Sequence, residues 1–339
     1  MSIFDNAHRK QLQEDVLSGK VDADTLLPDL VEHVDAEYYN LFANLDTGEH
    51  SASPVSRRGN PQYALRQSIK KKRLNRILKK SRISEERADG LYSHLFFMTL
   101  TIDHKVMSRD QANFFITFKG KGISRFFSRL EKALEGGYSK VIVKESTVSG
   151  YPAVHILLHL DKPLKIKFHR KSNSFRSDPS DPYTRSILGR LKNLDDWNSV
   201  SPIWKVGFID IYAFTKDDMG IKRYATPINY ISKYITKSLD LDHVEEFRKC
   251  KRVSELPVKY RTAVWTILNS LIWNSHTWVI SKAFKDDMQK LEEEAETRKG
   301  NWMWVNTVHR TDPRLYEWMG YDCSKLDPNM FSKGPSVPG

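Results

Sequence analysis

The sequence predicts an α+β protein with a mainly antiparallel central sheet of about four to six strands, flanked by helices. Two observations support this class. Short apolar runs rich in β-forming residues alternate with longer segments whose apolar residues recur at helical intervals. In addition, two of the apolar runs are separated only by the turn-forming residues 146–150, which favours an antiparallel hairpin over a parallel crossover.

The strands of this core follow one another along the chain. Residues 94–103 form the first apolar run, residues 139–144 and 151–160 form the two arms of the hairpin, and residues 204–214 form a fourth strand. Pro163 is predicted to end the third strand, because proline cannot donate to the ladder. The order of strands and helices therefore indicates a sheet with helices packed on it.

Helices are predicted between the strands and after them. Residues 109–134 carry apolar side chains at helical intervals, with a break near residues 120–122. Residues 172–201 are predicted to be a polar connection. Pro227 follows the fourth strand and suits the first turn of another helix.

The chain divides into four predicted regions. The first is acidic overall, with a helical pattern over residues 24–45 and a Ser/Pro/Gly-rich linker over residues 47–60. The last is predicted to be helical over residues 241–251 and 258–299 and irregular after that. The regions are an N-terminal segment (1–60), a basic helix (61–89), an α/β core (90–240) and a helical C-terminal region (241–339).

The charge balance favours an anionic partner. The 339 residues include 54 Lys and Arg against 42 Asp and Glu, a net charge of +12. Nucleic acid is the commonest such partner, although charge alone does not separate it from a membrane surface. Cys250 and Cys323 are far apart and in no metal-type spacing, which indicates a reducing compartment. No apolar run has membrane-spanning length and no signal peptide is evident, so a cytoplasmic location without membrane contact is predicted.

The basic helix carries the densest charge. Nine cationic residues occupy seventeen positions between residues 66 and 82, with no acidic residue among them. Such runs are more often solvated helix faces, but the absence of acidic residues favours contacts with phosphate. The residues predicted to bind DNA are Lys70, Lys71, Lys72, Arg73, Arg76, Lys79 and Lys80.

A pair of tyrosines and a pair of lysines share one pattern in residues 229–237 (NYISKYITK). On a helix, Tyr230 and Tyr234 lie on one face, and Lys233 and Lys237 lie close to it. A phenol can attack a phosphodiester, while ammonium groups hold the phosphate and favour the phenolate form. The competing interpretation is an amphipathic helix with half-buried aromatic side chains.

Three motifs occur in a fixed order along the core. They are residues 97–101 (FMTLT), Glu145 with residues 150–157 (GYPAVHIL), and the paired tyrosines of residues 229–237. Together they resemble the strand, metal and nucleophile motifs of HUH-type rolling-circle replication initiators, most of all the Rep proteins of archaeal plasmids and viruses. Residues 204–211 (WKVGFIDI) also resemble the strand that precedes the tyrosine helix in archaeal members.

The metal motif departs from the family at one position. Where the family usually has its first histidine, this chain has Ala153, which leaves His155 alone. His159 is a poor replacement, because four residues of strand span about 13 Å. Glu145 is better placed, since the hairpin folds it back toward residues 151–155, and its spacing resembles the acidic ligand of some HUH proteins. The predicted site is His155, Glu145 and water, which suits Mg²⁺ or Mn²⁺ better than zinc.

Ordinary structural roles compete with this metal site. His155 is alternatively a packed, hydrogen-bonded histidine, and Glu145 a solvated loop carboxylate. Asp103 and Asp210 lie at strand positions that approach the same region and are minor candidates. Four tryptophans are candidates for base stacking, although tryptophans near apolar runs are more often core: Trp273, Trp278, Trp302 and Trp304.

The resemblance implies a site-specific single-stranded DNA endonuclease and nucleotidyltransferase. Tyr230 and Tyr234 would alternate as nucleophiles, each forming a 5′-phosphotyrosyl link and releasing a 3′-hydroxyl that primes a polymerase. The expected partners are single-stranded and origin DNA, a host polymerase and a separate helicase, because no GxxxxGK[ST] motif is present. The pattern does not indicate an oligomeric state.

Three other functions remain open at this point. A catalytically degenerate protein would bind its origin or regulate its own gene without cleaving DNA, and Ala153 would mark that loss. A transposase or relaxase of similar fold would share the nicking chemistry, although such transposases are usually shorter and carry one tyrosine. A basic RNA-binding protein would show Gly/Phe-rich strands, which the sequence lacks.

Overall fold

The predicted α+β class is confirmed in a computed structural model, which contains a large antiparallel sheet flanked by helices. The structure describes residues 3–35, 38–55, 61–196, 199–215, 244–276, 278–282, 284, 286 and 302–321. Its α-helices are α1 (Asn6–Leu17), α2 (Leu27–Asp35), α3 (Pro61–Lys80), α4 (Arg109–Phe115), α5 (Gly122–Glu131), α6 (Pro182–Leu191), α7 (Val244–Arg248), α8 (Val258–Ile272) and α9 (Pro313–Trp318). Its strands are β1 (Tyr38–Asn44), β2 (His50–Pro54), β3 (Ser84–Arg87), β4 (Gly90–Thr101), β5 (Tyr138–Ser146), β6 (Pro152–His169), β7 (Ser174–Ser177), β8 (Ile209–Ala213), β9 (Trp278–Ile280) and β10 (Trp302–His309).

The large sheet has seven strands in the order β3-β4-β8-β7-β6-β5-β9, and β4 also pairs with β6. All of these pairs are antiparallel. The predicted hairpin is β5–β6, which runs from Tyr138↔Leu160 to Ser146↔Pro152. Strand β4, which carries the FMTLT motif, lies between β6 and β8. The three segments that bear the strand motifs are therefore hydrogen-bonded neighbours.

The two faces of this sheet are buried by different helices. One face packs Phe96, Met98 and Leu100 of β4 against α4, α5 and α6. The other face packs Phe97 in one cluster with Leu74 and other apolar residues of α3. Leu74 is completely buried, and burial of such a side chain contributes about 1.5–3 kcal/mol. The apolar side of the basic helix therefore covers one face of the sheet.

The predicted break near residues 120–122 is confirmed, because α4 ends at Phe115 and α5 begins at Gly122. A Cβ atom at Gly120 would lie 2.3 Å from the carbonyl oxygen of Phe114, so the connection requires glycine. Lys121 adopts a left-handed conformation with φ of 61°. This turn lets both helices pack on the same face of the sheet.

Two predictions about the core are wrong. Pro163 does not end its strand, because β6 continues to His169. The β4–β6 register passes from Leu95↔His159 to Ser93↔Leu164, so Pro163 lies in a bulge where no ladder donor is needed. The expected polar connection over residues 172–201 instead contains β7 and α6.

The chain ends also contain strands that the sequence did not predict. Strand β1 lies within the expected helical pattern of residues 24–45, and β2 lies within the expected linker. The C-terminal region is only partly helical, because it contains β9 and β10. Strand β10 pairs with β1 in a separate three-stranded sheet of order β10-β1-β2. The two ends of the chain are thus joined by backbone hydrogen bonds.

A helical cluster also joins the two ends. Its core contains Leu12 of α1, Leu30 of α2, Phe247 of α7 and Trp265 of α8. Of the described helices, none is long and apolar enough to cross a membrane.

Candidate functional site

The predicted metal motif lies on the sheet face that α3 covers. His155 of β6 is directly opposite Thr99 of β4 on one side and Val143 of β5 on the other. Directly opposite residues of an antiparallel pair point to the same face, and Val143 belongs to the cluster that contains the apolar residues of α3. The strand pairing therefore fixes which face His155 occupies.

Contacts with Glu145, Thr99 and Phe97 help to hold His155 in place. Its Nε2 lies 3.2 Å from Glu145 Oε2, and its Nδ1 lies 3.2 Å from the Thr99 hydroxyl. Its ring stacks on Phe97, with 5.6 Å between the ring centroids. Only 9% of the His155 side chain and 10% of the Glu145 side chain are exposed. Because the Thr99 hydroxyl both donates and accepts, it matches either tautomer of the imidazole.

Glu145 fills the space beside Ala153. The two residues are directly opposite each other in the β5–β6 hairpin, so their Cβ atoms are about 4.5–5.5 Å apart. The small alanine side chain leaves room on this face, and the Glu145 carboxylate reaches across it to His155. Ala153 and Glu145 are therefore neighbours across one pair of strands.

The His155–Glu145 pair fits a hard divalent cation. Mg²⁺ binds its ligands at about 2.1 Å, so adjacent ligands in an octahedron are about 3.0 Å apart. The 3.2 Å between Nε2 and Oε2 is close to this separation. In the described part of the chain, no group of three or more His, Cys, Asp or Glu residues is arranged to hold a metal. Water and substrate would have to supply the other ligands, and without a cation the same contact is an ordinary hydrogen bond.

His159 lies on the same strand but is bound elsewhere. Its Nε2 is 2.9 Å from the carbonyl oxygen of Arg82, and its ring stacks on His94. Burial lowers the pKa of His159. Residues 155–159 are confirmed as strand rather than helix. The two histidines therefore do not form a helical metal-binding pair.

The predicted nucleophile and phosphate-binding residues lie outside the described part of the chain: Tyr230, Lys233, Tyr234 and Lys237. The strand that leads toward them, β8, pairs with β4 from Phe96↔Ala213 to Leu100↔Ile209. In the sequence, these residues therefore follow β8, which is a direct neighbour of the FMTLT strand.

The predicted DNA-binding residues lie on α3. Lys70, Lys72, Arg76 and Lys80 are exposed, Lys71 and Arg73 are half-buried, and the side chain of Lys79 is outside the described part. The apolar residues of the same helix pack on the sheet. The exposed cations therefore lie on a helix that covers the face carrying His155.

A second charged group occurs on β7, α6 and β8. Arg176 Nη1 lies 2.6 Å from Asp210 Oδ1, and Lys192 Nζ lies 3.9 Å from the same oxygen. The Arg176 guanidinium stands 3.7 Å from the ring centroid of Tyr212. The sequence suggested Asp210 alone, because Arg176 and Lys192 fall in the expected polar connection. Only their contacts with β8 reveal the group. Asp103 instead accepts a hydrogen bond from the Lys105 amide in the turn after β4.

Burial and neighbouring side chains together shift the pKa values of Asp210 and Tyr212. Burial opposes ionisation of Asp210, but hydrogen bonds from Tyr212 and Arg176 and the charges of Arg176 and Lys192 outweigh it, so its pKa is lowered. Burial and the hydrogen bond to Asp210 raise the pKa of Tyr212. A raised pKa disfavours the phenolate, so Tyr212 is poorly suited to act as a nucleophile.

Replacing Asp210 by asparagine should alter stability in a pH-dependent way. A lowered pKa means that the ionised carboxylate stabilises the folded state above the ordinary pKa of about 3.9, and that this contribution is lost as the pH falls through the folded value. Asp210→Asn should therefore unfold at a lower temperature than wild type above about pH 5, with the difference shrinking toward about pH 3. Thermal unfolding followed by circular dichroism measures this. Asp195→Asn, at an exposed position after α6, is the control, and an equal deficit for Asp210→Asn at every pH would contradict the assignment.

The four tryptophans are in different surroundings. Trp273 is buried in the helical cluster, as expected for a core residue. Trp278 is half-buried and donates to Gln67 Oε1 at 2.6 Å. Trp302 and Trp304 on β10 are 40% and 57% exposed, so these two are not core residues.

Comparisons with known proteins identify no relative: no protein-family model, no curated protein and no solved structure matches this chain.

Proposed function

We propose that this protein is a HUH-type rolling-circle replication initiator that nicks and rejoins single-stranded origin DNA. The observation that carries the proposal is the His155–Glu145 contact of 3.2 Å beside Thr99 of the FMTLT strand. Residues from two separate sequence motifs meet there on one face of the sheet. That meeting is expected if the motifs form a single active site.

In the proposed reaction, the hydroxyl of Tyr230 or Tyr234 attacks the scissile phosphorus. The Oη–P bond forms, the bond from phosphorus to the 3′-oxygen breaks, and that oxygen takes up a proton to become a 3′-hydroxyl. Lys233 and Lys237 hold the phosphate and favour loss of the phenol proton. A divalent ion at His155 and Glu145 would polarise the phosphate and stabilise its charge. Because the phosphodiester energy is kept in the tyrosyl link, a second transfer rejoins strands without ATP.

Incubation of the wild-type protein with single-stranded DNA from its own replicon's origin tests the proposal. The DNA carries a label on each side of the expected nick, and the reaction contains Mn²⁺, Mg²⁺ or EDTA. We expect a metal-dependent product with protein attached to a 5′ end and a free 3′-hydroxyl on the other fragment. DNA binding without any covalent product, under every metal condition, would refute the nickase.

A catalytically degenerate origin-binding protein is the second candidate. It is favoured by Ala153 at a position where the resembled family has a ligand, and by a His155–Glu145 distance that an ordinary hydrogen bond also explains. This candidate predicts a different result: the protein would bind origin DNA equally well with Mn²⁺ and with EDTA and would form no adduct. The same assay therefore separates the two candidates.

The exposed cations of α3 should contribute to binding of duplex origin DNA. In the double variant Lys72→Gln, Arg76→Gln, two exposed charges are removed from the helix that covers the His155 face. Each lost phosphate contact should lower the slope of log affinity against log salt by about 0.9 on duplex DNA. The slope should therefore fall by up to about 2.

The matched control for α3 is the double variant Arg125→Gln, Lys132→Gln. These two residues are exposed at α5, which packs on the opposite face of the sheet. Fluorescence anisotropy at several salt concentrations measures both variants. Equal slopes for the two variants would show that α3 has no special part in binding.

A further inference from the structure

A basic cleft opens where β7, α6 and β8 meet. Its cavity volume is about 550 Å³. Three cationic side chains line it (Lys167, Arg176 and Lys192), together with His169, whereas Asp210 is the one carboxylate in its lining among the described residues. The cleft thus presents more positive than negative charge, which favours an anionic ligand.

Arg176 is held in a fixed orientation in this cleft. Its Nη1 donates to Asp210 Oδ1 and to the carbonyl oxygen of Ile211, both at 2.6 Å. The Tyr212 ring supports the guanidinium from one side at 3.7 Å. The Nε atom also lies 3.5 Å from the Ser172 hydroxyl. Arginine presents five donors in a fixed planar fork that suits phosphate oxygens, so a guanidinium held in this way is oriented in advance for an anionic ligand.

Lys192 adds a second charge that is removed from bulk water. Only 13% of its side chain is exposed. Burial lowers its pKa, the charge of Asp210 opposes this, and the charge of Arg176 adds to the lowering. A bound anion would stabilise the charged ammonium group, because an opposite charge favours the ionised form. Lysine and arginine together are a common pair for holding phosphate oxygens.

The basic cleft is connected to the His155 site by direct contacts. The His155 ring stacks on Phe97 at 5.6 Å, and the Phe97 ring lies 6.5 Å from that of Tyr212. In the strand register, Thr99 lies between His155 and Asp210. His155 and Asp210 are therefore two interstrand spacings apart, a distance of roughly 10 Å. A short length of extended single-stranded backbone spans that distance.

We propose that the basic cleft binds a backbone phosphate of the same single-stranded DNA, next to the phosphate that is cleaved at His155 and Glu145. This inference rests on the proposed function for its ligand. Two anchored phosphates would fix the direction of the strand across β4 and β8. They would also hold the scissile bond in register, since phosphate contacts set position without reading sequence.

Lys192→Gln is the first test, with Arg190→Gln as its matched control. Both residues belong to the end of α6, but Arg190 is exposed and is not part of the cleft lining. The probe is fluorescently labelled single-stranded DNA from the replicon's origin, titrated by anisotropy at several salt concentrations. Lys192→Gln should bind roughly three- to tenfold more weakly and lower the salt slope by about 0.7, the value for one phosphate contact on a single strand. Arg190→Gln should match wild type.

Lys167→Gln tests whether weaker binding reflects a lost phosphate contact rather than misfolding of the Lys192→Gln variant. The Lys167 side chain is 55% exposed and pairs with Asp178 Oδ1 at 3.0 Å. Because a partly exposed ion pair contributes little to stability, replacement of Lys167 should lower the thermal unfolding midpoint only slightly while the salt slope still falls. Lys192→Arg, which keeps the charge, should restore the wild-type slope. If Lys192→Gln and Lys167→Gln both keep the wild-type slope, the basic cleft is not a phosphate site.

The binding tests of the basic cleft and the assay of the nicking reaction can give independent results. If the wild-type protein forms no covalent adduct but the slope depends on Lys192 and Lys167, the cleft binds single-stranded DNA and the proposed nickase is wrong. If the adduct forms and both variants bind and cleave as wild type does, the nickase stands and the cleft has no part in it.

Discussion

The double variant Tyr230→Phe, Tyr234→Phe should form no covalent adduct with single-stranded origin DNA, a loss of about 10³-fold or more in cleavage rate. Phenylalanine keeps the ring and removes only the attacking oxygen. If the tyrosines alternate, each single variant should retain one transfer but fail to complete a nick followed by rejoining. Denaturing gels of end-labelled DNA, with mass spectrometry of the adducted peptide, measure the loss and identify the nucleophile.

Tyr183→Phe is the control for this chemistry. Tyr183 lies on α6, and its hydroxyl accepts a hydrogen bond from the Glu135 amide. The variant should form the adduct at the wild-type rate. An adduct that persists in the double variant, or an adducted peptide from another part of the chain, would show that Tyr230 and Tyr234 are not the nucleophiles.

Replacement of His155 or Glu145 by glutamine should remove the metal dependence of the reaction. The effect should be large, because metal stabilisation of a phosphoryl transition state contributes several kcal/mol, or about 10²-fold or more in rate. Glu145→Gln keeps the size of the side chain and removes its charge, so it measures the contribution of the carboxylate charge to metal binding and to the rate. Binding of Mn²⁺ to the protein alone, followed by electron paramagnetic resonance, provides a readout that does not depend on cleavage.

His159→Gln is the matched control for the metal site. His159 lies on the same strand as His155, but its imidazole contacts the Arg82 carbonyl. The variant should bind Mn²⁺ and cleave DNA as wild type does. Should His155→Gln and Glu145→Gln also retain wild-type Mn²⁺ binding, their 3.2 Å contact would be a structural hydrogen bond and the metal assignment would fail.

Much of the core could be predicted from local patterns. The apolar run in β4, the turn residues between β5 and β6, and the break between α4 and α5 all reflect preferences that act over a few residues. The hairpin also allowed the approach of Glu145 to residues 151–155 to be predicted, because hairpin pairing follows directly from a short connection. These features did not depend on distant parts of the chain.

Features that depend on distant partners were missed. Strand β10 exists because β1, more than 250 residues earlier, pairs with it, and a short strand has little stability without a partner. Pro163 is tolerated because a bulge opposite β4 removes the need for its missing N–H. The polar residues around Arg176 form a strand because β6 and β8 supply the hydrogen bonds.

In the candidate site, too, some features follow from local sequence patterns and others from tertiary contacts. The sequence by itself determined the antiparallel hairpin that brings Glu145 near His155, and the cationic helix with one apolar side, because both follow from local periodicity. Only the tertiary structure decided that α3 covers the face of His155, and that Arg176 and Lys192 meet Asp210 beside that face. The physical reason is that a side chain's direction follows from local backbone geometry, whereas its partners follow from how separate elements pack together.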